Sequence, residues 1–324
     1  MNSQIEKISL RPDNFEKFIG QNKIVNTIQI IIDNVKKKNK TLDHIIFYGP
    51  PGRGKTTLGN IIANKINSKI TYVQGALIEK KSDILSLFSL IEDNEIIFID
   101  EIHSINNNLE ELIYSAMEDN VIDIPIGPEG EKRIMRMKIK PFTLIGSTTD
   151  LFKISQPLRD RFGLIFKISN YSNEEISKII IQSAKILNHE IDEKLALTLA
   201  SFTHSTPRIA NRLIKRVIDF ADYYNEGIIT NKIIFETLKN LSIYKNGLTD
   251  MHIDYLKLLN NTLEQKTVSL DVIISLLNES KKIVINEIEP ILLSKKYITK
   301  SSKGRQITKL GINYISNYNI DNSI

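Results

Sequence analysis

IIFYGPPGRGKTTLGNIIANKI, residues 45 to 66, decides the fold. Its first four residues are an unbroken apolar run of the kind that makes a strand buried on both faces. Its last nine carry apolar residues at helical spacing, and a Gly/Pro-rich turn lies between. The turn, Gly49 to Thr56, satisfies G-x-x-x-x-G-K-[ST] with the required strand before it and helix after it. Glycines here let backbone N–H groups point inward around phosphate oxygens, and the following helix adds its positive end. Lys55 reaches the β and γ phosphates, and Thr56 offers its hydroxyl to Mg2+. The segment is read as the phosphate loop of an α/β nucleotide hydrolase.

Two further buried-strand candidates lie downstream, IIFI (96 to 99), ending in Asp100 and Glu101, and FTLIGSTT (142 to 149), ending in polar residues. Strands alternating with helices predict a parallel sheet flanked by helices, with ligands at the carboxyl ends of the strands, where these polar residues fall. Asp100 then supplies a carboxylate near the magnesium, and Glu101 one able to orient or deprotonate the attacking water. Phosphoryl transfer is mostly positioning and charge neutralisation, so cations are needed as well. Arg159 and Arg161 in PLRDRFG and Arg208 in STPRIANR are the candidates. Pro207 suits the first turn of a helix with Thr206 as its cap. An arginine that merely pairs with a surface acid fits the sequence equally well at each position.

Leu109, Leu112, Ile113, Ala116 and Met117 form the stripe of a helix, and VIDIPIGPEGEKRIMRMKI (121 to 139) reads as two extended arms around a Gly/Pro turn, a β-hairpin inserted in the α/β unit. From about Tyr171 the pattern is helical, and YKNGLTD (244 to 250) is a polar break. Beyond it, in YITKSSKGRQITK, arms at Tyr297–Ile298 and at residues 306 to 308 flank a basic Ser/Gly tip, which suggests a winged helix. Three domains are expected: residues 1–171, 172–244 and 245–324.

The chain has 324 residues, 41% hydrophobic and 25% charged, which excludes global disorder and low-complexity architecture. Without cysteine it has no disulfides, zinc fingers, iron–sulfur clusters or thiol nucleophiles. No apolar run reaches a membrane span and the start is not a secretory signal, so a cytoplasmic protein with no membrane partner is expected. The net charge of +5 is mild, but from Pro290 to Tyr318 there are six basic residues and no acidic one. The C-terminal end therefore carries a basic face.

Taken in order, LRPDNFEKFIGQ, LDHIIFYGPPGRGKTTL, IIFIDEIH, AMED, PFTLIGSTT, PLRDRFG, STPRIANR and the KGR near the end resemble the RuvB family, AAA+ motors that drive branch migration of Holliday junctions in recombination and repair. The resemblance covers nearly the whole chain. It implies an AAA+ P-loop domain with an inserted hairpin, a helical lid and a winged-helix head, with ATP and Mg2+ as ligands. Leu10 and Arg11 would border the nucleotide, with Tyr171 and Arg208 closing the pocket. Gly52, Lys55, Thr56 and Thr57 would hold the phosphates and Mg2+. Asp100 and Glu101 would be the Walker B pair, Asp100 reaching the metal through water. Glu118, Asp119 and Asn120 match a further nucleotide-site segment, Thr149 the sensor of the γ-phosphate, and Arg161 the arginine finger that acts on the next subunit's ATP. The same resemblance implies a homohexamer, double-stranded or junction DNA touched by Lys300 and Arg305, and a RuvA tetramer docked on the hairpin around Gly127 to Gly130. It also implies a RuvC-like resolvase where one exists.

The chain departs from that family at several points. Arg53 stands where leucine is usual, Asp150 and Lys300 replace arginines, and Ser104 and Lys81 also differ. A clamp-loader or unfoldase AAA+ protein is the nearest alternative, opposed by the basic head and by PLRDRFG. A junction scaffold that binds ATP without hydrolysing it is the other, opposed by Glu101, Thr149 and Arg161 and kept open by Arg53.

Overall fold

The computed structural model describes residues 9–126, 133–261 and 267–318. It forms two compact units, Met1–Tyr171 and Ser172–Ile324. The first holds a five-stranded parallel sheet in the order β2-β3-β6-β1-β7. Its strands are β1 (Ile45–Tyr48), β2 (Ile70–Gln74), β3 (Glu95–Asp100), β6 (Phe142–Thr148) and β7 (Leu164–Lys167). The central strands β1, β3 and β6 are buried almost throughout, as their continuous apolar runs require. Helices cover both faces: α1 (Asn22–Lys38) and α2 (Lys55–Ile66) enclose one apolar core, and α3 (Lys81–Ser89), α4 (Asn107–Asp119) and α5 (Gln156–Asp160) lie over the other. At Gly59 of α2 an added Cβ would stand 2.6 Å from the Phe98 ring, so the helix after the phosphate loop lies hard against β3.

Two strands of this sheet were not anticipated. β2 and β7 are its edges, and their residues alternate between half-buried and exposed over only five and four positions. Such short alternation is a weak signal. The inserted hairpin is present as β4 (Val121–Ile126) paired antiparallel with β5 (Arg133–Lys138). Asp123 and Arg136 face each other in register and form a bidentate pair at 2.8 Å. The expected turn at Gly127 to Gly130 lies outside the described residues.

The second unit opens at α6 (Asn173–Ile186), where Ser172 and Glu175 form a reciprocal capping box. α7 (Glu193–Ala200), α8 (Pro207–Tyr224) and α9 (Asn231–Asn240) complete a four-helix group. Pro207 does begin α8, but Thr206 does not cap it through its side chain as expected. His204 and Ser205 both take left-handed backbone angles, and the Thr206 hydroxyl donates back to the His204 carbonyl at 3.0 Å instead.

Beyond residue 244 come α10 (Asp250–Asn261), α11 (Leu270–Leu277), a helical run from α12 (Lys281–Ile283) through a π turn (Val284–Ile288) into α13 (Glu289–Ser294), and then the hairpin β8 (Ile298–Ser301) and β9 (Gly304–Ile307). α14 (Lys309–Tyr318) closes the fold. Arg305 of β9 also exchanges both backbone hydrogen bonds with Val268 at 2.8 Å, so the hairpin is backed by a third extended segment, as in a winged helix. Each arm of the wing is four residues long, leaving Ser302 and Lys303 as its tip.

Candidate nucleotide site

The loop expected to hold phosphate leaves the carboxyl end of β1. Gly49 has φ +140°, and a Cβ there would stand 2.9 Å from the Ile168 carbonyl oxygen. Gly54, at φ +97°, packs against the Phe18 ring. Both positions need glycine, for backbone angle and for space. The Lys55 ammonium is folded into the hollow of the loop, donating to the Gly49 and Pro50 carbonyls at 2.7 and 3.1 Å. Burial pulls its pKa below the usual lysine value, while the nearby charges of Glu101 and Asp100 act in the opposite sense. Thr56 and Thr57 follow in the first turn of α2.

Asp100 ends β3, which is paired directly with β6, and Glu101 follows it. The Ser147 hydroxyl donates to Asp100 Oδ1 at 2.7 Å, and the Glu101 backbone N–H donates to the same oxygen at 3.2 Å, so both bonds fix the carboxylate through Oδ1. Glu101 sits at φ +49°, a left-handed angle that turns its side chain away from the strand direction. Its Oε2 accepts from the Thr149 hydroxyl at 3.3 Å and lies 3.2 Å from His103 Nδ1, which is itself 2.8 Å from the Thr148 hydroxyl. Thr149, expected as the sensor of the γ-phosphate, thus stands beside Glu101. Ser147, Thr148 and His103 were not singled out, because what joins them to the carboxylates is the register of β3 against β6.

At the edge of the loop, the buried Tyr171 hydroxyl donates to the Arg53 carbonyl at 3.2 Å. The Arg53 guanidinium hydrogen-bonds the Asn170 side chain. Gln21 clamps the same segment, exchanging two hydrogen bonds with the Ser169 backbone at 2.9 and 3.0 Å. The N-terminal segment follows α2: Asn64 donates to the Asp13 carbonyl, with Leu10 half-buried and Arg11 exposed just before it. Arg208 is the second residue of α8 in the other unit and is exposed.

Arg161 and the segment Glu118 to Asn120 lie elsewhere. Arg161 precedes β7 and shares a hollow with Leu42, Asp43, Asn120 and Phe142, at the amino ends of β1, β6 and β7. Its guanidinium donates to the Pro157 carbonyl at 2.7 Å and to Glu118 at 2.9 Å, with the Tyr114 ring 4.7 Å beneath. In a parallel sheet the phosphate loop is at the opposite end, a strand length of roughly 13 Å at about 3.3 Å per residue. His44 lines the same hollow, and burial lowers its pKa. Its Nδ1 accepts the Leu144 N–H at 2.8 Å, so Nε2 carries the proton and faces the Met117 carbonyl at 3.2 Å.

In the second unit Lys300 and Arg305 are directly opposite each other on the wing. Lys300 is largely outward. The Arg305 side chain departs from the expected surface position: it turns inward and meets Glu289 of α13.

The arrangement can hold a nucleoside triphosphate. The positive-φ glycines, the buried ammonium, the Thr56 hydroxyl and the fixed Asp100 carboxylate match a triphosphate with Mg2+. The hydroxyl and carboxylate are hard oxygen ligands suited to a metal that keeps most of its coordination for water and phosphate. Among the described residues there is no cluster of three or more His, Cys, Asp or Glu that could form a metal cage. None of the described helices is long and apolar enough to cross a membrane.

Comparison with known proteins gives three family models in succession along the chain. They are the Holliday junction DNA helicase RuvB P-loop domain over residues 10–168, the RuvB AAA lid domain over 171–244 and the RuvB C-terminal winged helix domain over 245–316. The chain is 50% identical over 310 residues to the Holliday junction branch migration complex subunit RuvB of Mycoplasmopsis pulmonis, covering 96% of this chain and 98% of that protein. It is 42% identical over 311 residues to the subunit of the same name from Campylobacter hominis, covering 94% and 91%. Among solved structures it resembles the Thermotoga maritima RuvB Holliday junction branch migration motor with a TM-score of 0.81 at 32% identity, over 95% of this chain and 98% of that one.

Proposed function

The chain belongs to the RuvB family, and on that premise we propose that it is an ATP-hydrolysing DNA translocase that drives branch migration of Holliday junctions. Its nucleotide is ATP with Mg2+. Lys55, Gly52, Thr56 and Thr57 hold the phosphates, and Thr56 and Asp100 serve the metal, which would neutralise charge on the β and γ oxygens. Glu101, aligned by Thr149 and His103, orients the attacking water and accepts its proton. Leu10, Arg11 and Tyr171 border the rest of the nucleotide, and the family resemblance assigns Arg208 to the same nucleotide.

The observation that carries the reading is the opposition of loop and finger. Arg161, with Glu118 to Asn120 beside it, is at the amino end of the sheet whose carboxyl end bears the chain's own phosphate loop. It therefore serves a site on another copy, which makes each active site a shared one and the working form a ring, a homohexamer in our proposal. Head-to-tail contacts of this kind close into rings. Residues 1–171 act as the motor domain, 172–244 as the lid and 245–324 as the DNA-binding head, with Lys300 facing phosphates. Such contacts hold without specifying sequence, which suits a motor that passes any duplex. The hairpin at 121–139 docks on RuvA, for which Ile134 and Met135, exposed on opposite faces of β5, offer apolar contacts.

The test is a synthetic four-way junction incubated with the purified chain, RuvA and ATP. Conversion of the junction to its duplex products, dependent on ATP hydrolysis, is expected. ATP turnover that never moves a junction overturns the proposal.

A further inference from the structure

Glu289 is a buried acid for which the nucleotide chemistry has no use. It is 1% exposed, and its carboxylate receives four hydrogen bonds. Arg305 Nε donates to Oε1 at 2.6 Å and Arg305 Nη2 to Oε2 at 3.3 Å. The Tyr255 hydroxyl donates to Oε1 at 3.1 Å, and Lys300 Nζ to Oε2 at 3.2 Å. A carboxylate has about four lone-pair sites, so its capacity is filled. Burial alone would raise its pKa, but the Arg305 and Lys300 hydrogen bonds outweigh this and hold the carboxyl below its ordinary value.

The backbone is arranged for this contact. Pro290 lacks the N–H that an α-helix would donate to residue 286, and the helix before it opens into a π turn in which the Glu289 N–H donates to Val284, five residues back. Adjacent residues Ile288 and Glu289 are thereby both buried. Arg305 is fixed from its own side by the paired bonds to Val268. Gly304 before it, at φ +139°, comes so near that an added Cβ would stand 2.2 Å from the Val268 carbonyl oxygen. Arg305 as a whole is only 7% exposed. On the opposite arm the Lys300 side chain is 44% exposed, and Lys303 at the tip is exposed.

Two like charges directly opposite on neighbouring strands destabilise a hairpin, and Lys300 and Arg305 are such a pair. A DNA phosphate could neutralise them only when DNA is bound, whereas Glu289 does so permanently. We propose that Glu289 is the internal counter-charge on which the wing is hung. Arg305 is then a positioning residue with no phosphate contact, and the wing meets the DNA backbone through Lys300 and Lys303. The inference rests on the reading of this head as a DNA-binding wing and names the residues by which it binds.

The experiment measures binding of the full chain to duplex DNA against salt concentration. Each phosphate contact contributes about 0.9 to the slope of log affinity against log salt. Lys300→Met and Lys303→Met are each expected to lower the slope by about one. Arg305→Met leaves Glu289 buried without its main partner and weakens binding by disordering the wing. Adding Glu289→Met to it replaces the pair with apolar side chains and restores both affinity and slope to within about twofold of the parent. A double variant that stays as weak as Arg305→Met, with the slope reduced by one, overturns the positioning role. If neither lysine variant changes the slope, the wing does not bind DNA and the underlying reading falls instead. The unaltered chain gives a second measurement that does not depend on variants folding. Arg305 is expected to resist phenylglyoxal with and without duplex, and reaction that duplex suppresses overturns the inference.

Discussion

Arg161→Ala should separate catalysis from stability if the proposed shared site is right. In the isolated chain Arg161 is a quarter exposed and its carboxylate partner, Glu118, more than half exposed. An ion pair so wetted contributes about 0–1 kcal/mol, and the stacking on Tyr114 adds about 0.5–1 kcal/mol. The melting temperature should therefore fall by no more than roughly 8 °C. Turnover should fall by about 10³ to 10⁵, the contribution of an arginine to a phosphoryl-transfer transition state, which is about 4–7 kcal/mol of barrier. The disparity follows from the proposal that the guanidinium acts on ATP held by another copy. The assay is ATP hydrolysis as a function of protein concentration, with the variant titrated into the parent chain beside a thermal melt. Wild-type activity should rise more steeply than in proportion to concentration, and the variant should poison the mixture beyond its share. A variant within tenfold of the parent, or mixtures whose rates simply average, would refute the placement of the finger in a shared site.

Glu101→Gln should keep ATP binding, since the loop is untouched, and lose about 10² to 10⁴ in turnover, read by nucleotide binding beside hydrolysis; normal hydrolysis removes Glu101 from its role. Arg53→Leu deletes a positive charge next to the loop and its tie to Asn170. ADP should bind roughly fivefold more weakly, about 1 kcal/mol at an effective surface dielectric, and unchanged affinity would contradict this. Burial pushes the His252 imidazole down to about 4 from its ordinary 6.5 and lowers His204 as well. The unfolded chain thus takes up protons first as pH falls. This stabilisation is whole above about pH 6.5 and is lost towards pH 4, up to about 3 kcal/mol from His252. Melts of the chain between pH 7.5 and 5 should show that slope, and His252→Gln should flatten it in part.

The three central strands were legible because burial on both faces leaves an unbroken apolar run, and the loop because its chemistry needs particular residues at particular spacings. β2 and β7 were not, since an edge strand of four or five residues carries too little alternation. The site divides in the same way. Lys55, Asp100 and Glu101 are local features of the sequence, but Ser147 meets Asp100 only because β6 lies next to β3, 47 residues away. The Arg305 guanidinium reads as a surface charge in a basic stretch, and only the π turn that aims Glu289 inward shows otherwise. A buried ion pair leaves no periodic trace, because its two halves are set by separate backbone irregularities.

The opposed ends of the sheet also bear on how the cell's ATP is spent. On the proposed shared site, a lone copy can load nucleotide at its loop but carries Arg161 about a strand length away. On that proposal newly made chains would load nucleotide without turning it over, and consumption would be metered by how many of them had closed into rings. Expression could then rise ahead of need without draining the nucleotide pool, and the motor would switch on where copies are gathered.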